Sequence, residues 1–214
     1  MQIAIIGAGN VGRALAGSFT RAGHEVTLSA TNPEHAREAA EQTGSSAAAT
    51  NADAVSNAAV VVLAVPATAF DQLASELGDA LAGKIVVDVS NRPTPSPDGA
   101  PTSIAEELHG KLPGTSVVKA FNTAFASRMA NPKVGGIAPD GYVASDDAAA
   151  KQTVLDVVES IGFRPVDAGS LAAARTLEGM AWLNITRAIS NGTWQDAWVL
   201  VGPELTATTT DNRN

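Results

Sequence analysis

Apolar residues along this chain fall into short runs separated by helix-spaced segments. Residues 3–6 (Ile-Ala-Ile-Ile) form a run without polar interruption, and residues 59–65 (Ala-Val-Val-Val-Leu-Ala-Val) form a longer one. Both read as strands buried on two faces, as in a parallel sheet covered by helices. Further strands are predicted at 25–29, 84–89 and 116–119. Helices are predicted at 10–21, from Asn32-Pro33 onward, at 51–56 and at 68–81. Asn followed by Pro is a helix-start signal, with the proline at the first helical position where its missing N–H costs nothing. Four prolines between residues 90 and 101 predict a loop, which ends at the capping box Ser103-Ile104-Ala105-Glu106.

After about residue 130 the pattern changes. Strands at 142–145 and 164–166 flank a helix at 147–161, and a long helical stretch is predicted at 171–201. The resulting expectation is an α/β chain: a Rossmann-type doubly wound parallel sheet, then a small α/β C-terminal part ending in a long helical segment. The domains would be 1–130 for the dinucleotide-binding unit and 131–205 for the smaller unit, with a polar, disordered tail at 206–214. No internal repeat is evident.

The turn after the first strand is Gly7-Ala8-Gly9-Asn10-Val11-Gly12, a G-x-G-x-x-G between a strand and a helix. In that context Gly7 makes the tight turn, Gly9 lets the backbone approach a pyrophosphate, and Gly12 packs helix against strand. The N–H groups and positive dipole end of the helix then hold phosphate. At the end of the second strand stands Leu28-Ser29-Ala30-Thr31-Asn32, with no acid to bond the ribose hydroxyls of NAD. Hydroxyls and an amide accept a 2′-phosphate, so NADP is the expected cofactor. Arg37, one turn inside the next helix, is either its cationic partner or a solvated helix residue.

Composition narrows the chemistry. The 214 residues are 45% apolar and carry a formal charge of −8, which argues against a nucleic-acid or anionic-membrane partner. The longest apolar stretch, 58–66, is too short to span a bilayer. With no residues before the first strand to form a secretory signal, a soluble cytoplasmic protein is expected. Without cysteine there is neither a disulfide nor a thiol nucleophile nor a thiolate metal site. His24, His35 and His109 read as solvated, and the single tyrosine, Tyr142, reads as packed in a strand. No metal-binding or acyl-transfer signature occurs. A dinucleotide fold without an evident acid–base side chain suits direct hydride transfer between two rings, in which the protein chiefly supplies orientation. No catalytic side chain and no metal ligand is therefore assigned.

Four segments carry a resemblance: IAIIGAGNVGRALA at the start, VVVLAVP at 60–66, VVKAFNT at 117–123 and PVDAGSLAAARTLEG at 165–179. Through them the chain resembles the F420-dependent NADP oxidoreductase family over nearly its whole length. Related sequences form the cytoplasmic oxidoreductase domain of six-transmembrane metalloreductases. The resemblance implies reversible hydride transfer between NADPH and the deazaflavin of coenzyme F420. It implies that Gly7, Gly9, Asn10, Val11 and Gly12 hold the pyrophosphate and that Ser29, Thr31 and Asn32 surround the 2′-phosphate. Val65 and Pro66 would line the nicotinamide side, with Ala120, Phe121, Asn122 and Thr123 near the stacked rings. Phe121 is either a ring platform or a core aromatic.

Archaeal members carry basic residues where Ala30, Thr31 and Asn32 stand, often a histidine at the position of Asn122, and an aromatic at that of Ala67. A flavin or a small imine or carbonyl is the alternative second substrate, and a non-catalytic NADP sensor the alternative class. An imine-reductase-like enzyme would need a larger helical C-terminal domain than the roughly 85 residues after residue 130. Trp194 and Trp198 are spaced to share a helical face. With Trp182 they read as core, or as a homodimer contact or pocket wall.

Overall fold

The computed structural model describes residues 1–92, 102–133 and 135–202. Its elements follow the chain as β1 (Gln2–Ile6), α1 (Asn10–Arg21), β2 (Glu25–Ser29), α2 (Pro33–Thr43), β3 (Ser46–Ala47), α3 (Asn51–Val55) and β4 (Val60–Leu63). Then come α4 (Phe70–Leu81), β5 (Ile85–Asp88), α5 (Ile104–Lys111), β6 (Ser116–Ala120) and α6 (Ala126–Ala130). The remainder is β7 (Asp140–Ala144), α7 (Ala148–Ser160), β8 (Arg164–Gly169) and α8 (Ala174–Asn191). The two-residue β3 and the short α6 have no counterpart among the elements expected from sequence, because neither is long enough to show a period.

The eight strands of the described residues belong to one sheet in the order β3-β2-β1-β4-β5-β6-β7-β8. The first six run parallel, but β7 pairs antiparallel to β6, and β8 runs parallel to β7. The first six strands thus form the expected parallel Rossmann sheet, and the two strands of the C-terminal part extend it into a mixed one. The chain reverses direction between α1 on one side of β1 and α3 on the other, so β1 has β2 and β4 as neighbours. That is the switch point at which open α/β sheets bind ligands.

Strand alternation sorts the core into two layers. Ile3, Ile5, Val62, Val87 and Val118 pack against α1 and α7, with Leu15, Phe19, Val154 and Val158. Ala4, Ile6, Val61, Val86 and Val117 pack against the other face, with Leu73, Leu77, Leu108 and Ala174. Local signals start the helices as expected. Asn32 caps α2 by accepting from the Glu34 N–H with Pro33 at the first turn, and Ser103 and Glu106 form a reciprocal capping box on α5.

The long C-terminal helix expected to reach residue 201 ends at Asn191. Gly192, with φ of +68°, takes the left-handed position that terminates it and accepts no continuation. A 3-10 turn at Leu171–Ala173 precedes it. Beyond Gly192 the chain becomes a strap. Ser127 Oγ donates to the Trp194 carbonyl at 2.6 Å, the Asp140 N–H donates to the Trp198 carbonyl at 2.8 Å, and the Leu200 N–H donates to Asp140 Oδ2 at 2.6 Å. Trp194 and Trp198 thus share no helix. Trp194 is half exposed and meets Phe125 edge-on at 5.3 Å, while Trp182 alone lies on α8. No described helix is long and apolar enough to cross a membrane. The proline-rich loop lies mostly, and the polar tail wholly, outside the described residues.

Candidate functional site

At the carboxyl ends of β1 and β4 the glycine turn closes tightly. Gly7 has φ of +113°, and a Cβ there would stand 2.3 Å from the Ala64 carbonyl oxygen. Its N–H donates to the Ser29 carbonyl at 2.9 Å, tying the turn to β2. A Cβ on Gly12 would lie 1.9 Å from the Gly7 carbonyl oxygen, so the first turn of α1 rests directly on the loop. Gly9 differs: a Cβ on it would meet nothing within 4 Å. That open side faces the space a phosphate needs. Gly9 is also the N-cap of α1 without a side-chain cap, and no acid occupies the first turn. The helix start therefore presents unpaired N–H donors and its positive dipole end.

Two cavities meet at this turn. The first, about 570 Å³, lies between β1, β2 and α4 and is lined by Gly7, Gly9, Thr31, Asn32, His35 and Glu76 among others. The second, about 560 Å³, is lined by Gly9, Asn10, Val11, Ala64, Val65, Pro66, Ala67, Thr68, Val89, Ser90 and Asn91. Gly9, Ala64, Val65 and Pro66 belong to both. The two chambers are of similar size and join over a helix N-terminus, whose unpaired N–H groups suit an anion.

The expected residues divide by position. Gly7, Gly9, Asn10, Val11, Thr31, Asn32, Val65 and Pro66 line one or both chambers, and Gly12 supports the turn from below. Ser29 is fully buried, and its hydroxyl donates to Asn51 Oδ1 at 2.8 Å. It therefore orients Asn51, which lines the first chamber, and is not itself part of the lining. Arg37 pairs with Glu34 at 2.5 Å, both exposed, and also stays outside the lining. His35 is a lining residue that sequence reasoning took for surface. Its signal was its position in the first turn of α2, two residues after Pro33.

The end of β6 is built differently from a simple strand terminus. Phe121 has φ of +61°, rare for a bulky side chain and costly by about 1–3 kcal/mol. Alternation would send it to the face of Val117; the left-handed turn carries it to the opposite layer, beside Phe19 at 5.8 Å and Phe163 at 6.4 Å. Phe121 is a core aromatic and no ring platform, and Ala120 is likewise buried in that layer, lining neither chamber. Asn122 and Thr123 are buried beyond the turn. Asn122 Nδ2 donates to Asn91 Oδ1 at 2.9 Å, and Asn91 Nδ2 returns a bond to the Asn122 carbonyl at 3.0 Å. Asn122 Oδ1 has no partner among the described residues, and Asn184 Nδ2 of α8 donates to the Thr123 carbonyl at 3.3 Å.

Sequence reasoning also missed a buried ionic cluster. Asp88 ends β5, Lys119 lies directly across on β6, and both are fully buried. Lys119 Nζ donates to Asp88 Oδ2 at 2.8 Å, to the Ser90 carbonyl at 2.6 Å and to Glu178 Oε1 of α8 at 2.9 Å. The available signal was a lysine inside the apolar run Val117-Val118-Lys119-Ala120-Phe121. A charge there must be paired, because burying it alone is prohibitive.

Switch-point sheet, glycine turn and twin chambers define a Rossmann-type dinucleotide-binding protein. The F420-dependent NADP reductase of Methanothermobacter thermautotrophicus is 30% identical over 211 residues, covering 89% of this chain and 90% of that protein. A family model described as NADP oxidoreductase coenzyme F420-dependent matches residues 2–92. The chain belongs to the F420-dependent NADP reductase family of oxidoreductases. The crystal structure of a putative F420-dependent NADP-reductase from Arthrobacter sp. FB24 superposes with a TM-score of 0.84 at 29% identity, over 94% of this chain and 100% of that one. Metalloreductase STEAP3 of Rattus norvegicus is 35% identical over 180 residues, which are 84% of this chain; the chain spans 36% of that relative's length.

Proposed function

We infer that this protein transfers a hydride between NADP(H) and the deazaflavin ring of coenzyme F420. One observation carries the reading. Among the described residues lining the second chamber there is no histidine, lysine, tyrosine, aspartate or glutamate. Carbonyl, alcohol or imine reduction needs a proton donor within hydrogen-bond reach. Hydride passed from NADPH to a deazaflavin leaves a delocalised negative charge whose one proton can come from solvent, so no protein acid is required, and the two cofactors supply the redox chemistry themselves.

The chain's residues bind, orient and shield. Gly9, Asn10 and Val11 receive the pyrophosphate at the start of α1, while Thr31, Asn32 and His35 surround the 2′-phosphate, with Ser29 acting through Asn51. Val65, Pro66, Ser90 and Asn91 hold the nicotinamide side. Asn122 and Thr123 stand behind that wall, where α8 supports them through Asn184. Residues 131–205 thereby complete the second-cofactor pocket begun by residues 1–130. The exposed Leu183, Ile189, Trp194, Leu200 and Val201 of α8 and the strap form the face for a homodimer. Small-molecule cofactors in the cytoplasm are the expected partners.

The test is to mix purified protein, NADPH and F420 and to follow the loss of deazaflavin absorbance. Turnover without any further substrate supports the reading. Saturating NADPH with no loss of F420 signal refutes it, and turnover with a free flavin alone reassigns the acceptor.

A further inference from the structure

The Lys119 cluster sits on the face of the sheet away from the glycine turn, yet two of its three anchors belong to the segment that walls the nicotinamide-side chamber. Asp88 and Ser90 bracket that segment, and Val89, Ser90 and Asn91 line the chamber. Asp88 Oδ1 accepts from both the Ser90 N–H at 2.8 Å and the Ser90 hydroxyl at 2.6 Å. Asp88 Oδ2 takes one ammonium proton, and the Ser90 carbonyl takes another. The third goes to Glu178 Oε1, which also accepts the Ile104 N–H at 2.9 Å and so fixes the start of α5. All three ammonium donors are used. The surplus negative charge of two carboxylates is offset by Arg92, whose Nε lies 3.8 Å from Glu178 Oε2.

An apolar side chain could fill this volume without burying three charges, and such replacements are often neutral or stabilising. An apolar side chain could not hold the Ser90 carbonyl. Resting on the functional reading above, we propose that Lys119 is a positioning residue for the nicotinamide end of the bound dinucleotide. Through Asp88 and the Ser90 carbonyl it sets the backbone of residues 88–91. Through Glu178 it makes that setting depend on the seat of α8. Asn91 then presents its pairing with Asn122 at a fixed height beside the chamber.

Two ligands separate positioning from general stability. NADPH fills both chambers, whereas adenosine 2′,5′-bisphosphate fills only the first. Asp88→Asn keeps the side-chain volume, but one amide cannot accept from Ser90 and from Lys119 at once. Expected is a fall in NADPH affinity of about tenfold, with adenosine 2′,5′-bisphosphate affinity held within about twofold, because misplacement by a fraction of an ångström at one end suffices. Equal losses for both ligands, or no loss for either, overturns the proposal. Should Asp88→Asn not fold, the combined variant Asp88→Asn, Lys119→Met, Glu178→Gln removes the three charges together, leaves Arg92 paired with Glu107, and is judged by the same two affinities. A wild type that binds NADPH but reduces no F420 overturns the proposed reaction while leaving this ratio measurable. A wild type that binds no dinucleotide overturns both.

Discussion

Asn91 and Asn122 exchange two hydrogen bonds, of 2.9 and 3.0 Å, between the segments that leave β5 and β6. One asparagine lines the second chamber, and the other is buried behind it. The pair makes the chamber wall a two-strand unit. Asn122→Ala leaves Asn91 Oδ1 without its donor and should lower hydride transfer by about tenfold, corresponding to roughly 1–2 kcal/mol for a lost partner of a buried polar group. Steady-state rates at saturating NADPH, with affinity measured separately, check this. A drop in NADPH affinity alone would mean that the pair only binds.

The glycine turn separates folding from binding. Gly12→Ala drives a Cβ against the Gly7 carbonyl oxygen and should destabilise the fold by about 2–3 kcal/mol. Gly9→Ala meets open space in the protein and should leave the melting temperature unchanged while weakening NADPH binding at least tenfold, about 1.4 kcal/mol. Thermal melts beside a fluorescence titration with NADPH test both. A stable Gly9→Ala protein with native affinity would remove the pyrophosphate from this junction.

Among the described residues lining the first chamber, His35 is the one cation-capable side chain and Glu76 the one acid. His35→Ala should raise the KM for NADPH by about fivefold, the scale of one exposed charge-assisted contact, and leave NADH unaffected. Glu76→Gln keeps an acceptor for Asn51 and should tighten NADPH by a similar factor. Parallel KM measurements with the two nucleotides decide; matching changes for both would place the 2′-phosphate elsewhere.

Arg175 of α8 bonds Glu106 of the α5 capping box at 2.9 and 2.5 Å. That contact, helped by the Ser103 backbone and hydroxyl and opposed by partial burial, brings the Glu106 carboxyl from 4.5 to about 2. The folded value lies below the unfolded one. Its stabilisation is therefore complete above about pH 4.5 and is lost as pH falls toward 2. Unfolding midpoints across that range should decline more steeply in the wild type than in Arg175→Gln. Equal slopes would show that the α5–α8 contact contributes nothing.

The hydrophobic periods and the capping chemistry were readable residue by residue, because both are local. The run at 3–6, the Asn32-Pro33 start and the Ser103–Glu106 box each specify an element through neighbours a few positions away, and all three stand in the structure. The helix that was expected to reach residue 201 was misjudged although its stop was visible. Asn191-Gly192 is a C-terminal signal, but the apolar residues beyond it kept the helical spacing alive. In the folded chain those residues answer to Ser127 and Asp140, contacts that no local pattern contains.

From local pattern alone came the glycine turn Gly7–Gly12, the strand–helix alternation and the missing acid after β2, because each depends on backbone sterics or charge within a few residues. The direction of β7, the turning of Phe121 into the opposite layer and the meeting of Lys119 with Asp88 and Glu178 came only with the tertiary structure. Lys119 and Glu178 are 59 residues apart, and nothing but the packing of α8 across the sheet brings them to 2.9 Å. A buried charge is tolerable only where its partners already stand, so its place is decided by the assembled fold.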